Sequence, residues 1–145
     1  MIVGCDTGFF VALLQNDSEA QSYWNQIVSG DMKAVVSVAS LLELAVLAQK
    51  KHIDQEAFDI LYASIQSLCD IIQLDARSQW PSIASKIAHS GLSVSVAMIV
   101  QSFLSSHVML LLTDDPLMAS FFPTTVQVKH ILQPTLSLKG VTNGY

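Results

Sequence analysis

A chain of 145 residues is the size of one domain and is long enough to bury a hydrophobic core without disulfides. Hydrophobic residues make up 51% and charged residues 13%, a balance that excludes a disordered chain. The formal net charge of -5 excludes steering to nucleic acid by the overall field, so any RNA binding needs a local basic patch.

In chain order, "IVGC" reads as a short strand and "DTGFFVALLQ" as the helix that follows it. The opening residues lack the basic region of a signal peptide, and a cytoplasmic address is expected. Asp17 is placed to cap a second helix, "DSEAQSYWNQIVSGD", ending near Gly30. "KAVVSV" is a second strand, and "SLLELAVLAQKK" an apolar helix finishing on Lys50 and Lys51, where positive charge suits a helix C-terminus. Asp54 caps the next helix, and "DIIQL" is a third strand. "DARSQWPSIASKIAHSG" is a helix containing Pro81 near its start and stopped by Gly91.

The segment from Gly91 to Leu112, "GLSVSVAMIVQSFLSSHVMLLL", holds no acid and no Lys or Arg, and it is long enough to span a bilayer. Its polar cluster of Gln101, Ser102, Ser105, Ser106 and His107 falls mid-segment, where a span tolerates it least. It reads instead as a buried helix, a turn and the strand "VMLLLT". "DDPLMASFF" is a turn or short helix, and "TTVQVKHI" is the last strand. The alternation of strands and helices predicts an α/β fold with a parallel sheet covered on both faces. One domain is expected over residues 1–130, with an irregular tail at 131–145.

Nucleotide-binding glycine loops, zinc-protease and serine-hydrolase motifs are all missing from the sequence. Cys5 and Cys69 stand in apolar surroundings and read as buried free thiols, and the four histidines are scattered without metal-ligand spacing. The acids are more informative. Asp6 follows the first strand, Asp114 and Asp115 follow "VMLLLT", and Glu43 is the only charge inside "VASLLELAVLA". In an open parallel sheet, ligands bind beyond the carboxyl ends of the strands. Carboxylates gathered there without His or Cys suit a hard cation, Mg²⁺ or Mn²⁺. Each acid also has a plain structural role open to it: Asp6 as a helix cap, one of the Asp114–Asp115 pair in a turn before Pro116, and Glu43 at a helix edge.

Four segments together resemble PIN domains of VapC-type toxins. They are "VGCDTGFFVALLQNDSE", "VVSVASLLELAVL", "GLSVSVAMIVQSFL" and "VMLLLTDDPLMASF", in family order over about residues 1 to 130. The resemblance implies a three-layer α/β/α sandwich with a central parallel sheet. It also implies Mg²⁺- or Mn²⁺-dependent cleavage of single-stranded RNA, a small antitoxin partner and a homodimer. Carried over, Asp6, Glu43 and Asp115 are the catalytic and metal-binding acids, with Thr7, Thr113 and Asp114 lining the site.

One position departs from the family. Val96 stands where the motif Leu-Ser-x-x-Asp-Ala has its acid, so one oxygen ligand is lost. If Ser93 is the N-cap, position 96 also loses the capping-box role and falls on the apolar stripe Val96, Ile99, Val100, Phe103. The expected function is therefore a toxin-like endoribonuclease with an incomplete acidic site and weakened activity. The alternative is a catalytically inactive PIN-like domain used for binding or assembly.

Overall fold

In the computed structural model the described residues are 1–131, without the side chains of residues 76–78. Five strands form one parallel sheet: β1 (Ile2–Cys5), β2 (Lys33–Ser37), β3 (Cys69–Ile72), β4 (Leu110–Thr113) and β5 (Gln127–His130), in the order β3-β2-β1-β4-β5. The helices are α1 (Thr7–Leu14), α2 (Ser18–Val28), α3 (Val38–Gln49), α4 (Gln55–Leu68), α5 (Ala76–Ser90) and α6 (Val94–Ser105), and a 3₁₀ turn covers Met118–Phe121. This is the three-layer α/β/α arrangement expected from the sequence.

The near-continuous apolar character of β1, β2 and β4 follows from burial on both faces of a parallel sheet. Side-chain alternation divides them between two cores. Val3, Cys5, Ala34, Val36, Leu110 and Leu112 face a core built with Phe9, Phe10, Leu44, Leu47, Phe58 and Ile65 from the helices. Leu111 faces the other core, with Ile99, Val100 and Phe103 of α6, then Met118 and Phe122. α5 packs on α6 rather than directly on the sheet centre.

The segment Gly91–Leu112 is resolved as α6, a turn through His107 (φ 55°) and most of β4. No helix among the described residues is long and apolar enough to cross a membrane. The caps read from the sequence form: Asp17, Asp54 and Ser93 accept from Ala20 N, Ala57 N and Val96 N. Gly91 adopts φ 68° where α5 stops, a left-handed conformation that favours glycine.

Strand ends shift from expectation where the ladder decides them. β3 begins at Cys69, one residue earlier than "DIIQL", because Cys69 pairs with Ala34, and it stops before Gln73. β4 begins at Leu110 rather than Val108, and β5 is trimmed to Gln127–His130. Ile131 is buried at 1% exposure, and the rest of the expected tail lies outside the described residues. Both cysteines are free, but only Cys5 is fully buried while Cys69 is half-buried, since β3 lies at the sheet edge. Burial pushes the Cys69 thiol up to about 12 and raises Cys5 well above the ordinary range, which leaves both poor nucleophiles.

Gly4 on β1 presses against the ring of Phe103. A methyl group there would lie 3.0 Å from Cδ1 and 3.1 Å from Cε1 of a side chain with no exposure. Gly4→Ala is expected to cost about 1–3 kcal/mol by overpacking, and Phe103→Ala about 3–5 kcal/mol. In the double variant the added methyl enters the space that the ring vacates, so denaturant unfolding should give a combined cost well below the sum. Strict additivity would refute the contact.

Candidate functional site

The strand order reverses direction between β1 and β4: connections from β1 run outward through β2 and β3, and the chain then crosses back to β4 and β5. Such a switch point opens a crevice beyond the carboxyl ends of the two central strands. Cys5 pairs with Leu112 at the last rung, and Asp6 N donates to Leu112 O at 3.0 Å just past it. The residues that leave the two strands are Asp6 and Thr113.

Asp6 is the N-cap of α1, with φ -78° and ψ 165°, and its Oδ1 accepts from Thr7 N at 2.7 Å. The capping role expected as its plain alternative is therefore real, and it coexists with a second engagement. Thr113 Oγ1 donates to Asp6 Oδ2 at 2.6 Å. The same Thr113 hydroxyl accepts from Asp115 N at 3.0 Å. On the other side, Thr7 Oγ1 donates to Glu43 Oε1 at 3.1 Å, which ties α3 to the head of α1. Thr7 and Thr113 are thus the connectors of a network that runs from Glu43 through α1 to β4.

The acids differ in what they face. Asp6 is 5% exposed. Burial pushes its carboxyl up to about 7, opposed by the hydrogen bonds from Thr113 and Thr7 and reinforced by the charges of Asp114 and Glu43. Asp114 is exposed as a residue, but its carboxylate leans on Gly8 in the first turn of α1, so closely that a methyl group at Gly8 would overlap it. That shielding raises Asp114 from the ordinary carboxylate range, against a backbone hydrogen bond that lowers it, and the charges of Asp115 and Glu43 add to the rise. Asp115 is occupied locally: its Oδ1 accepts from Leu117 N at 2.9 Å, holding the turn into Met118–Phe121.

Gly8 was not singled out in the sequence. Its signal was there: a glycine in the first turn of a helix costs stability relative to alanine, and such a glycine often marks a close approach. Ser102 was read only as part of a polar cluster, yet its hydroxyl donates to Met98 O at 2.8 Å and accepts from the Ser37 hydroxyl at 3.1 Å, joining α6 to the end of β2 with both residues fully buried.

Val96 is half-buried and packs beside the Ile99–Phe103 cluster, and its backbone N–H is capped by Ser93 Oγ at 3.2 Å. Position 96 is therefore the third residue of α6, as the capping argument required, and its side chain offers no oxygen. Among the described residues no three His, Cys, Asp or Glu side chains converge closely enough to hold an ion as they stand. Asp6, Glu43 and Asp114 are hard oxygen donors, the type that Mg²⁺ and Mn²⁺ take, and the charges of Asp114 and Glu43 add to the rise at Asp6.

The Asp6 titration has a defined sign. The unfolded carboxyl releases its proton near 3.8 and the folded one near 7, so between those values the folded state binds more protons. Stability contributed by this group falls as pH rises through that window and is level above it. Asp6→Asn keeps the oxygen that accepts from Thr7 N and removes the titration. Its stability relative to wild type should improve by about 2–3 kcal/mol between pH 5 and pH 8 in metal-free buffer. Thermal unfolding at the two pH values checks this, and a pH-independent difference would contradict it.

No protein-family model and no curated protein matches the sequence. Solved structures do match the fold. One is a chain of VapBC2 from Rickettsia felis, determined bound to a DNA fragment from its promoter, at TM-score 0.69 and 14% identity over 90% of this chain and 99% of that one. Another is a chain of VapBC-1 from nontypeable Haemophilus influenzae, at TM-score 0.61 and 15% identity over 90% of this chain and 98% of that one. At these identities the likeness is one of fold, and the fold is the PIN-like sandwich that the four sequence segments resemble.

Proposed function

We propose that the chain is a PIN-fold, Mg²⁺- or Mn²⁺-dependent endoribonuclease of the toxin type, acting on single-stranded RNA with activity weakened by Val96. The observation that carries this reading is the placing of acids from three separate elements around the β1/β4 switch point. Asp6 follows β1, Glu43 lies on α3 and Asp114 follows β4; Thr7 links Asp6 to Glu43, Thr113 holds Asp6, and the Asp114 carboxylate rests on Gly8. Nothing in core packing requires carboxylates to be gathered there, and gathering them costs electrostatic energy.

In this reading Asp6 and Glu43 hold the cation together with an acid that follows β4. Thr113 fixes the rotamer of Asp6 by its 2.6 Å hydrogen bond, and Thr7 orients Glu43 in the same way at 3.1 Å. The bound cation would polarise the phosphodiester and lower the pKa of an attacking water. An acidic protein has no overall attraction for RNA, so phosphate affinity would depend on that cation rather than on the field of the chain. A small antitoxin partner fits the same reading, as the fold neighbours are parts of VapBC complexes. Self-association as a homodimer is included, supported by exposed Leu42, Trp80 and Val94 on a sparsely charged surface.

A second reading, a non-catalytic binding or assembly module, is favoured by one observation: Val96 has joined the apolar cluster of α6. The two readings separate on single-stranded RNA with Mn²⁺. The enzyme reading expects slow cleavage by wild type, loss of it in Asp6→Asn, and a rise of about tenfold or more in Val96→Asp, in line with one restored electrostatic contact. Cleavage by wild type equal to that of Asp6→Asn would leave only the binding module. Light scattering that finds a monomer at high concentration would remove the homodimer from either reading.

A further inference from the structure

The chain carries 12 acidic residues, and none of them falls between positions 76 and 113, the stretch that forms α5, α6 and β4. Arg77 and Lys86 are the only Lys or Arg of that stretch. In a protein of net charge -5, α5 and α6 therefore make a face that meets a polyanion with no carboxylate of its own. We infer that this face is the track along which single-stranded RNA lies as it approaches the β1/β4 crevice, with a base stacked on Trp80 and phosphates at Lys86 and His89. The inference rests on the RNA-binding part of the proposed function, and it applies whether or not cleavage survives.

Two lanes run side by side on α5. One is an apolar groove of about 300 Å³ between α5 and α6, lined by Trp80, Ile83, Ile87, Val94 and Met98. Its rim is open to solvent, with Trp80 62% and Val94 61% exposed. The other is a shallow cleft lined by Ser82, Ser85, Lys86 and His89, all hydrogen-bonding side chains and none of them acidic. Each set recurs at three or four residues, so one helix presents both. A single strand has the same division, with apolar base faces on one side and charged phosphates on the other. Unpaired bases stack on an exposed aromatic ring, whereas a duplex hides its bases and fits only the polar lane.

Lys86 is suited to a phosphate by its partner. Its ammonium donates to the neutral Gln101 Oε1 at 2.9 Å, a bond that bridges α5 to α6. Lys33 and Lys129 are instead ion-paired with Asp70 and Glu19. An amide partner orients the ammonium without cancelling its charge. The exposed Trp80 and Val94 also suit a second copy of the chain, but a two-fold contact sets each patch against itself and would oppose like charges there. RNA phosphates complement those charges, and self-association is left to Leu42 on α3.

The track leads to the crevice. Ser37 closes β2, and its hydroxyl donates to Ser102 Oγ at 3.1 Å, which sets the middle of α6 level with the carboxyl end of that strand. Val94 lies two turns earlier on α6, about 12 Å along the axis. From there α6 runs down to the start of β4, so its first two turns overhang the strand ends where Asp6 and Thr113 emerge. α5 ends at Ser90, just before α6 begins, so His89 stands at the same end. Trp80 lies about 14 Å back along α5.

The test follows binding of a fluorescein-labelled oligouridylate of about 12 nucleotides by anisotropy, on the full chain in EDTA, where no divalent cation contributes. Wild type should bind. Trp80→Ala should weaken binding by about fivefold or more, and Trp80→Phe, which keeps a stacking ring, should restore most of it. Lys86→Gln should weaken binding and flatten the slope of log affinity against log salt by about 0.7, while Lys51→Gln, beyond the end of α3, should stay within about twofold of wild type. Circular dichroism checks that the variants fold. Wild-type binding in both Trp80→Ala and Lys86→Gln, or no binding by wild type, overturns the track. If Trp80→Ala turns a dimer into a monomer by light scattering and leaves RNA binding unchanged, the face belongs to a second copy. Mn²⁺-dependent cleavage judges the nuclease reading separately. A wild type that binds through Trp80 and does not cleave keeps the track and loses the enzyme. One that cleaves while the variants bind normally keeps the enzyme and loses the track.

Discussion

The 2.6 Å hydrogen bond between Thr113 and Asp6 is the contact on which the rest of the site depends. It closes the top of the β1/β4 pair one step past the last ladder rung, where the backbone bond from Asp6 to Leu112 ends. Asp6 must at the same time start α1, because its other oxygen caps Thr7. One small buried side chain therefore sets the exit of β1, the entry of α1 and the orientation of Thr113. A longer acid could not keep both bonds, and an apolar residue would leave Thr7 N and the Thr113 hydroxyl without their partner in a dry environment.

This arrangement puts stability and chemistry in opposition at a single residue. The core around Asp6 is apolar, and burial outweighs the two hydrogen bonds that favour its ionised form. A protein selected only to fold would place an asparagine there. The same electrostatic cost recurs at Asp114, whose neighbours include Asp115 and Glu43. Cost of this kind is characteristic of functional sites, where the strain among like charges is relieved by what binds. Val96 runs the other way: it packs against the apolar stripe of α6 and adds no charge to the crevice.

Much of this was legible in the residues, and the reasons are physical. Helix starts were readable because capping is local: Asp17, Asp54 and Ser93 act within three residues of themselves. Central strands were readable because burial on both faces leaves an apolar run with little alternation. Strand ends were not, since the register with a neighbour decides them; Cys69 enters β3 only because Ala34 is opposite. Glu43 stood out as one charge in an apolar helix, and Asp6 as an acid directly after a strand. Which of Asp114 and Asp115 turns inward was hidden, because adjacent residues with the same side chain carry the same local signal.

The sequence by itself determined the alternation of strands and helices, the two-sided sheet, the caps, and the presence of acids at strand ends. These follow from periodicity and composition, which act over a few residues. The tertiary structure alone decided that β1 and β4 lie side by side, that Thr7 and Thr113 link the acids, that Gly8 makes room for Asp114, and that Asp115 is spent on a turn. All but the Asp115 turn, a contact two positions long, depend on residues far apart in the chain meeting at one crevice, 107 positions for Asp6 and Thr113 and 36 for Thr7 and Glu43. Contacts of that range are set by sheet order and side-chain volume together, and no short window of sequence contains them.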